Sequence, residues 1–390
     1  MKLKDLIESN NTGLDAIKRA PIVEYDTGIR CLRIGDISNN RPFNDWGYTE
    51  VEDNNYKKFQ LRKDDIIVAR TGATIGVNKY IDKDYKSVYN NGLIRIRVKE
   101  ENNPKYVYYL LQSNNYRNFI KTISMGTSTQ PNMQMNDLLN LEVPEFDRDK
   151  QDKIVQLLGN IDKKIELNNE INNNLYELAI KYLNEMKSDE EVTLSKFGKI
   201  QGGYAFKSKD LLDTKTNNRI IKIKNLRNEI SADVINSQFV ENEVIDKLDN
   251  KFKIKKGNVV IAMTGAELGK TGFIYGFDHY YLNQRVGLVR GITKEKELYL
   301  NILLLSQEFQ NLLNSKGYGS AQPNVSTTDI ENITIQNIED DDLMKFYEKV
   351  NPIYKKIILN CEENLNLEQL RDTLLPKLMN GEIDLDNIEI

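Results

Sequence analysis

Two stretches of the chain carry apolar residues at alternating steps of three and four. Between about 148 and 187 these are Ile154, Leu158, Ile161, Ile165, Leu175, Ala179, Tyr182 and Met186. Near the C-terminal end they are Phe346, Val350, Ile353, Ile357, Leu367, Leu374 and Leu378, with Arg371 standing where the first stretch has Ala179. This spacing predicts long amphipathic helices with a seam for a partner helix. Gly159-Asn160 in one and Asn351-Pro352 in the other interrupt the pattern at equivalent places, which predicts a short helix followed by a long one in each. From 160 to 187 the long part reaches roughly 40 Å at about 1.5 Å per residue. The rest of the chain alternates short β-like runs, such as Ile66–Ala69 and Leu93–Val98, with Gly- and Asn-rich turns. Short helices are expected near 106–111 and 300–305.

The chain also repeats itself. Asp65 Ile66 Ile67 Val68 Ala69 Arg70 Thr71 Gly72 Ala73 recurs as Asn258 Val259 Val260 Ile261 Ala262 Met263 Thr264 Gly265 Ala266, and Gly76 as Gly269. Ser128 Thr129 Gln130 Pro131 Asn132 recurs as Ser320 Ala321 Gln322 Pro323 Asn324, and Asp137 as Asp329. Ile34 Gly35 Asp36 Ile37 matches Ile223 Lys224 Asn225 Leu226, and the seam residues of the two helical stretches follow the same offset. A period of about 190 residues is a tandem duplication rather than a solenoid repeat. The expected architecture is α+β: two mixed α/β domains, 1–147 and 189–338, separated by helical regions at 148–188 and 339–390. The two long helices are expected to form an antiparallel coiled coil that relates the copies by a pseudo-twofold axis. Asn168 and Asn172 fall on seam positions of the first helix, and Asn360 and Asn364 on the matching positions of the second. An Asn-rich chain places some of these by chance; paired across an antiparallel seam, they would fix register at a cost in stability.

Composition narrows the function. With 390 residues, 39% apolar and 29% charged, the chain can bury more than one core. Its apolar runs, such as Ile302 to Leu305, are far too short to span a bilayer. The start, Met1 Lys2 Leu3 Lys4 Asp5, has no apolar export segment, so a cytoplasmic protein with no membrane partner is expected. Two cysteines and one histidine supply neither a disulfide framework nor a Cys/His metal cluster, and no metal site is expected. The net charge of −4 argues at first against nucleic acid. Residues 1–147 hold 21 basic and 20 acidic groups and 189–338 hold 20 and 18, whereas 339–390 hold 6 and 13. The deficit therefore lies in the last helical region, and the two repeated domains are slightly positive.

Two strings resemble catalytic motifs and fail on inspection. Thr264 Gly265 Ala266 Glu267 Leu268 Gly269 Lys270 Thr271 encloses three residues between its glycines where a phosphate-cradling loop needs four, and the first copy lacks the lysine. A strand followed by a tight glycine turn explains it, with Thr71, Thr74, Asn78 and Lys79 in one copy and Thr264 and Lys270 in the other presented at a sheet edge. Asn351 Pro352 Ile353 Tyr354 resembles a DNA methyltransferase motif, but it lacks the second proline and sits inside a helical repeat. No other catalytic constellation stands out in the sequence: carboxylates are abundant, but none forms a spaced pair distinguishable from a solvated surface. Better candidates for binding are Ser128, Thr129, Gln130 and Asn132, with Ser320, Gln322 and Asn324 in the copy and Tyr318 just before it. Gln and Asn can pair with adenine edges, and Ser and Thr with phosphate or base. The same strings also read as capped turns leading into Asp137 and Asp329. Arg41 and Trp46 in one copy, and Tyr204 and Lys207 in the other, are candidates for phosphate or stacking contacts.

With these features in place, the pattern resembles the DNA-specificity (S) subunit of Type I restriction-modification systems over essentially the whole chain. The string Gly203 Tyr204 Ala205 Phe206 Lys207 Ser208 Lys209 Asp210 looks like a recurrent opening of such target-recognition domains, and the first domain lacks it. Support comes from residues 257–266 and the two Gln-Pro-Asn segments. The resemblance implies a non-catalytic subunit that reads a bipartite, asymmetric site on double-stranded DNA and directs methylation and restriction by its partners. Those partners would be two modification (methyltransferase) subunits and, in full complexes, two restriction subunits. It further implies that S-adenosylmethionine, ATP and Mg²⁺ belong to the partners and that this chain binds no cofactor. Two readings from other classes stand beside it: a stand-alone methyltransferase or nuclease, disfavoured by the missing motifs, and a duplicated protein-interaction scaffold with no role in nucleic-acid binding.

Overall fold

The computed structural model describes residues 1–125, 132–227, 230–317 and 324–385. The chain divides into two compact units, one made of Met1–Asp162 with Glu368–Ile390 and the other of Lys163–Leu367. The architecture of each is α+β.

In the first unit, strands β1 (Ile7–Thr12), β2 (Ile66–Ala69), β3 (Asn78–Tyr80) and β4 (Leu93–Val98) form a sheet in the order β1-β4-β2-β3, with every pair antiparallel. A second sheet places Ile22–Val23, Gly47–Thr49, Arg30–Leu32 and Ser87–Tyr89 side by side, the last two strands running parallel. The uninterrupted apolar run of β2 has a direct cause. Ile66 and Val68 point into a core shared with the helices, while Ile67 and Ala69 point into a core shared with the second sheet. A strand buried on both faces has no polar side to alternate with.

The second unit repeats this plan. Strands β5 (Gly198–Gly202), β6 (Val259–Ala262), β7 (Thr271–Phe273) and β8 (Val286–Gly291) form a sheet in the order β5-β8-β6-β7. Val259 and Ile261 enter one core, Val260 and Ala262 the other. Its second sheet, Leu211–Leu212, Gln238–Val240, Asn218–Ile221, Tyr280–Leu282 and Lys253–Ile254, has the same order with its equivalent parallel pair, Asn218–Ile221 with Tyr280–Leu282, and Lys253–Ile254 added beyond it. The duplication read from the residues is thus a duplication of topology.

Both β2 and β6 end in the same turn. Gly76 N donates to Ala69 O at 2.8 Å and Gly269 N to Ala262 O at 3.0 Å. Gly72 and Gly76 have φ of +81° and +86°, and Gly265 and Gly269 +77° and +82°. These are left-handed conformations that side chains with a Cβ rarely adopt.

Helix α1 (Arg148–Met186) and helix α2 (Asp340–Met379) are each continuous. The expected breaks at Gly159-Asn160 and Asn351-Pro352 do not occur. Pro352 and Glu348 both lie on the exposed side of α2, so the carbonyl that loses its hydrogen bond to the proline ring is on the face open to water. Gly159 sits between the buried anchors Ile154, Leu158 and Ile161, whose packing holds the turn helical. In the first unit Ile154 and Leu158 of α1 share a core with Leu375, Leu378 and Met379 of α2. Arg371 pairs with Asp162 at 2.9 Å, and the Tyr109 hydroxyl donates to the same carboxylate at 2.6 Å.

In the second unit the helices meet through buried asparagines. The Asn168 amide donates to Asn364 Oδ1 at 2.9 Å and to Glu363 Oε2 at 2.8 Å; the Asn364 amide donates to Asn169 Oδ1 at 2.8 Å. The Asn360 amide donates to Asn172 Oδ1 at 2.8 Å, and the Asn172 amide to Cys361 Sγ at 3.4 Å. Residue numbers rise on α1 as they fall on α2, so the helices are antiparallel in this unit.

Two stability measurements follow from these contacts. Asn360→Leu alone strands the buried Asn172 carbonyl and should lower stability by about 1–3 kcal/mol. Adding Asn172→Leu should recover most of that loss in thermal unfolding; a neutral single substitution would show that the pair carries no energetic coupling. At the turn, Gly72→Ala meets nothing within 4 Å and pays only the backbone cost, about 1–2 kcal/mol. Gly76→Ala would also place its Cβ 2.7 Å from Ile120 and should unfold at a lower temperature than Gly72→Ala.

Candidate nucleic-acid interface

Beyond the last residue of β2 three distant segments converge. Arg70 N donates to Gly92 O at 2.9 Å, and Met133 N donates to Arg70 O at 2.8 Å. Thr71 forms an isolated antiparallel bridge with Asn132. The second unit builds the same junction: Met263 N donates to Arg285 O at 3.1 Å, Val325 N to Met263 O at 2.9 Å, and Thr264 bridges Asn324. The sequence candidates Thr71 and Asn132, and Thr264 and Asn324, are therefore brought together, in both copies, by backbone hydrogen bonds. Asn132 and Asn324 are exposed, and both threonines are half-buried.

An arginine reaches each asparagine. Arg70 Nη2 donates to Asn132 Oδ1 at 3.2 Å, with Nη1 3.5 Å from Thr12 Oγ1. Arg285 Nη1 donates to Asn324 Oδ1 at 3.4 Å. Neither arginine was among the sequence candidates. Arg70 aligns with Met263 and Arg285 aligns with Gly92, so comparing the copies position by position hides the shared feature, which appears only when the backbone pairs 70 with 92 and 263 with 285.

A second shared junction directly follows β1 in the first unit and β5 in the second. Leu14 N donates to Tyr89 O and Tyr204 N to Leu282 O, both at 2.9 Å. A Cβ on Gly13 would come within 2.3 Å of Asn90 O, and one on Gly203 within 2.0 Å of Asn283 O, which is why glycine opens both segments. Gly13-Leu14 is thus the counterpart of Gly203-Tyr204, although only the glycine is shared. Leu14 is fully buried, whereas Tyr204 is 38% exposed and packs edge-on against Phe206 and Phe252. Lys207 is exposed beside it.

Other candidates serve the fold. Trp46 is 1% exposed, packs on Phe43 and Tyr85, and donates its indole N–H to Arg41 O at 3.0 Å. The expectation that it offers a stacking face is corrected: the ring fills the core beneath the second sheet. Arg41 is half-exposed and pairs at 3.4 Å with the buried carboxylate of Asp36. Asn78 uses its amide to tie the glycine turn to Leu111 O at 2.7 Å. Lys79 is half-buried on β3, where burial lowers its pKa against an opposing pull from Asp82. Thr74 is half-buried in the turn, and Lys270 pairs with Glu267 within its own turn. Ser128, Thr129, Gln130, Tyr318, Ser320 and Gln322 lie outside the described residues.

Among the described residues no group of three His, Cys, Asp or Glu side chains could hold a metal ion, and no helix is long and apolar enough to cross a membrane. Burial pushes the Cys31 thiol up to about 12, which disfavours its nucleophilic thiolate.

Comparison with known proteins agrees with this architecture. The model of the Type I restriction modification DNA specificity domain matches residues 1–177 and 187–337. The chain is 25% identical over 324 residues to the specificity subunit of the Type I restriction enzyme MjaIX of Methanocaldococcus jannaschii, covering 77% of this chain and 73% of that one. It is 22% identical to the specificity subunit of the Type I restriction enzyme HindI of Haemophilus influenzae, over 90% of this chain and 94% of that one. A crystal structure of the S subunit of a Type I restriction-modification system from M. genitalium shares the fold, with a TM-score of 0.56 at 17% identity over 97% of this chain and 95% of that one. With two matched copies of the domain spanning most of its length, the chain belongs to the Type I restriction-modification DNA specificity family and is a DNA specificity subunit, the non-catalytic part of such an enzyme.

Proposed function

We propose that this subunit reads an asymmetric, bipartite duplex target, one half-site per compact unit, and directs methylation and restriction by partner subunits that carry S-adenosylmethionine, ATP and Mg²⁺. The observation that carries this reading is the junction built twice, once beyond β2 and once beyond β6. Thr71 with Asn132, and Thr264 with Asn324, are fixed by identical backbone bonds while the side chains around them differ. An identical frame with different side chains is what two unequal half-sites require, because base identity is read by side-chain donors and acceptors.

Helices α1 and α2 each contribute residues to both units. In this proposal their length sets the gap between half-sites, and their asparagine pairs hold the register. Two modification subunits would bind along the helices and the flanks of the recognition domains. Because the chain carries a net charge of −4, sequence-specific binding is expected to be weak alone and tight once basic partner surfaces close on the duplex.

The test is selection from a random duplex pool by the full-length chain, purified in the complex it forms in its host. The expected result is one motif with two fixed half-sites and a constant gap. Inserting four residues, about one helical turn, into both α1 and α2 should change the preferred gap and leave both half-sites intact. Recovery of no motif at low salt with saturating partner would overturn the reading and leave a protein-interaction scaffold as the better account.

A further inference from the structure

Beyond β2 in the first unit and β6 in the second, the same backbone pairing recurs, but a different side of it carries an arginine. In the first unit the residue at the end of the strand, Arg70, carries the guanidinium, and its hydrogen-bonded partner Gly92 carries no side chain. In the second the strand-end residue is Met263, and the guanidinium comes from the partner position, Arg285. Both forks arrive at the asparagine of the same bridge, Asn132 or Asn324, from opposite sides of one backbone pair. We propose that Arg70 and Arg285 are specificity-determining residues, each reading the major-groove edge of a guanine in the half-site of its own unit; this rests on the reading that each unit recognises duplex DNA through this junction.

Three observations support the assignment. First, the charge is available. Arg97, Arg148, Arg227 and Arg371 pair with carboxylates at 2.6 to 2.9 Å. Among the described residues Arg70 and Arg285 form no such pair, and their hydrogen-bond partners are neutral oxygens at 3.2 to 3.5 Å, the long end of the range. A guanidinium is charged at every accessible pH, and weak neutral partners leave most of its bonding capacity for a ligand.

Second, Arg70 Nε is buried and has no acceptor among the described residues. An unmet donor of this kind costs free energy in the unbound protein, and a side chain that rearranges onto an acceptor recovers it.

Third, the fork has a matching partner in DNA. Two parallel N–H groups fit O6 and N7 of guanine, an edge that no other base presents. The asparagine carbonyl holds one terminal nitrogen of the fork through a single long hydrogen bond, and the bridge to Thr71 or Thr264 fixes the asparagine backbone. Because the two arginines spring from positions on opposite sides of the backbone pair, the same fold places its guanine contact differently in the two half-sites.

The experiment uses the full-length chain in its host complex, with the random duplex pool and then fluorescence titration of the recovered consensus. For Arg70→Ala, one guanine of one half-site should become degenerate, affinity for the consensus should fall roughly 10- to 100-fold, and the other half-site should stay sharp. Arg285→Ala should do the same to the opposite half-site. Arg70→Gln and Arg285→Gln keep length and an amide donor, and they carry the same test if the alanine variants melt early. A uniform loss of affinity with every base position still sharp would identify these arginines as phosphate contacts and overturn the inference, while leaving half-site reading intact. If the unsubstituted complex yields no motif, the reading beneath it fails instead.

Discussion

The fold depends on closing a sheet face with apolar residues from the far end of the chain. Leu375, Leu378, Met379 and Leu385 are buried in the core of the first unit, against Leu3, Leu6, Ile66 and Ile94. Lys153 at the start of α1 donates to Leu385 O across a separation of 232 residues. The second unit meets the same requirement within a continuous segment, where Phe346, Val350 and Ile357 of α2 and Ala179 and Leu183 of α1 cover its sheet. Neither core is complete without both helices. Burial of this kind, at about 25 cal/mol per Å² of apolar area, is the main force available to hold two long polar-faced helices in place.

On that apolar base the polar contacts supply discrimination. A seam of leucines alone would tolerate sliding by a heptad, whereas each buried asparagine amide needs its partner at one register. Asn168 with Asn364 and Asn172 with Asn360 impose that condition in the second unit, and Asp162 with Arg371 and Tyr109 does similar work in the first. The substitution of Arg371 for Ala179 between the helical repeats has its reason there: the two helices face different neighbours at that point, and one neighbour is a carboxylate.

Much of this was legible in the residues because it depends on periodicity. Strands β2, β4 and β6, the glycine turns, the two helical stretches and the seam asparagines follow from spacing and self-similarity. The expected helix breaks did not, because Pro352 and Gly159 act on local propensity while flanking core anchors decide the outcome. Trp46 was misjudged because a polar neighbourhood in sequence, Asn44-Asp45 before it and Gly47 after it, gives no sign that the ring turns inward onto Phe43 and Tyr85. Arg70 and Arg285 stayed hidden because the relevant equivalence is between hydrogen-bonded partners on adjacent strands, which a linear comparison of two copies cannot see. Gly13 escaped for a related reason, since its counterpart was recognised by the aromatic string around Gly203 and only the glycine is kept.

The discontinuous make-up of the first unit also bears on how the chain emerges from the ribosome. Residues 163–367 form an uninterrupted unit whose cores draw on no residue of the last segment. The first unit, although synthesised earlier, must wait with part of its core uncovered until residues 368–385 are released. The unit that begins first along the chain is thus closed by residues more than 200 positions later, and until they arrive it presents an uncovered apolar face.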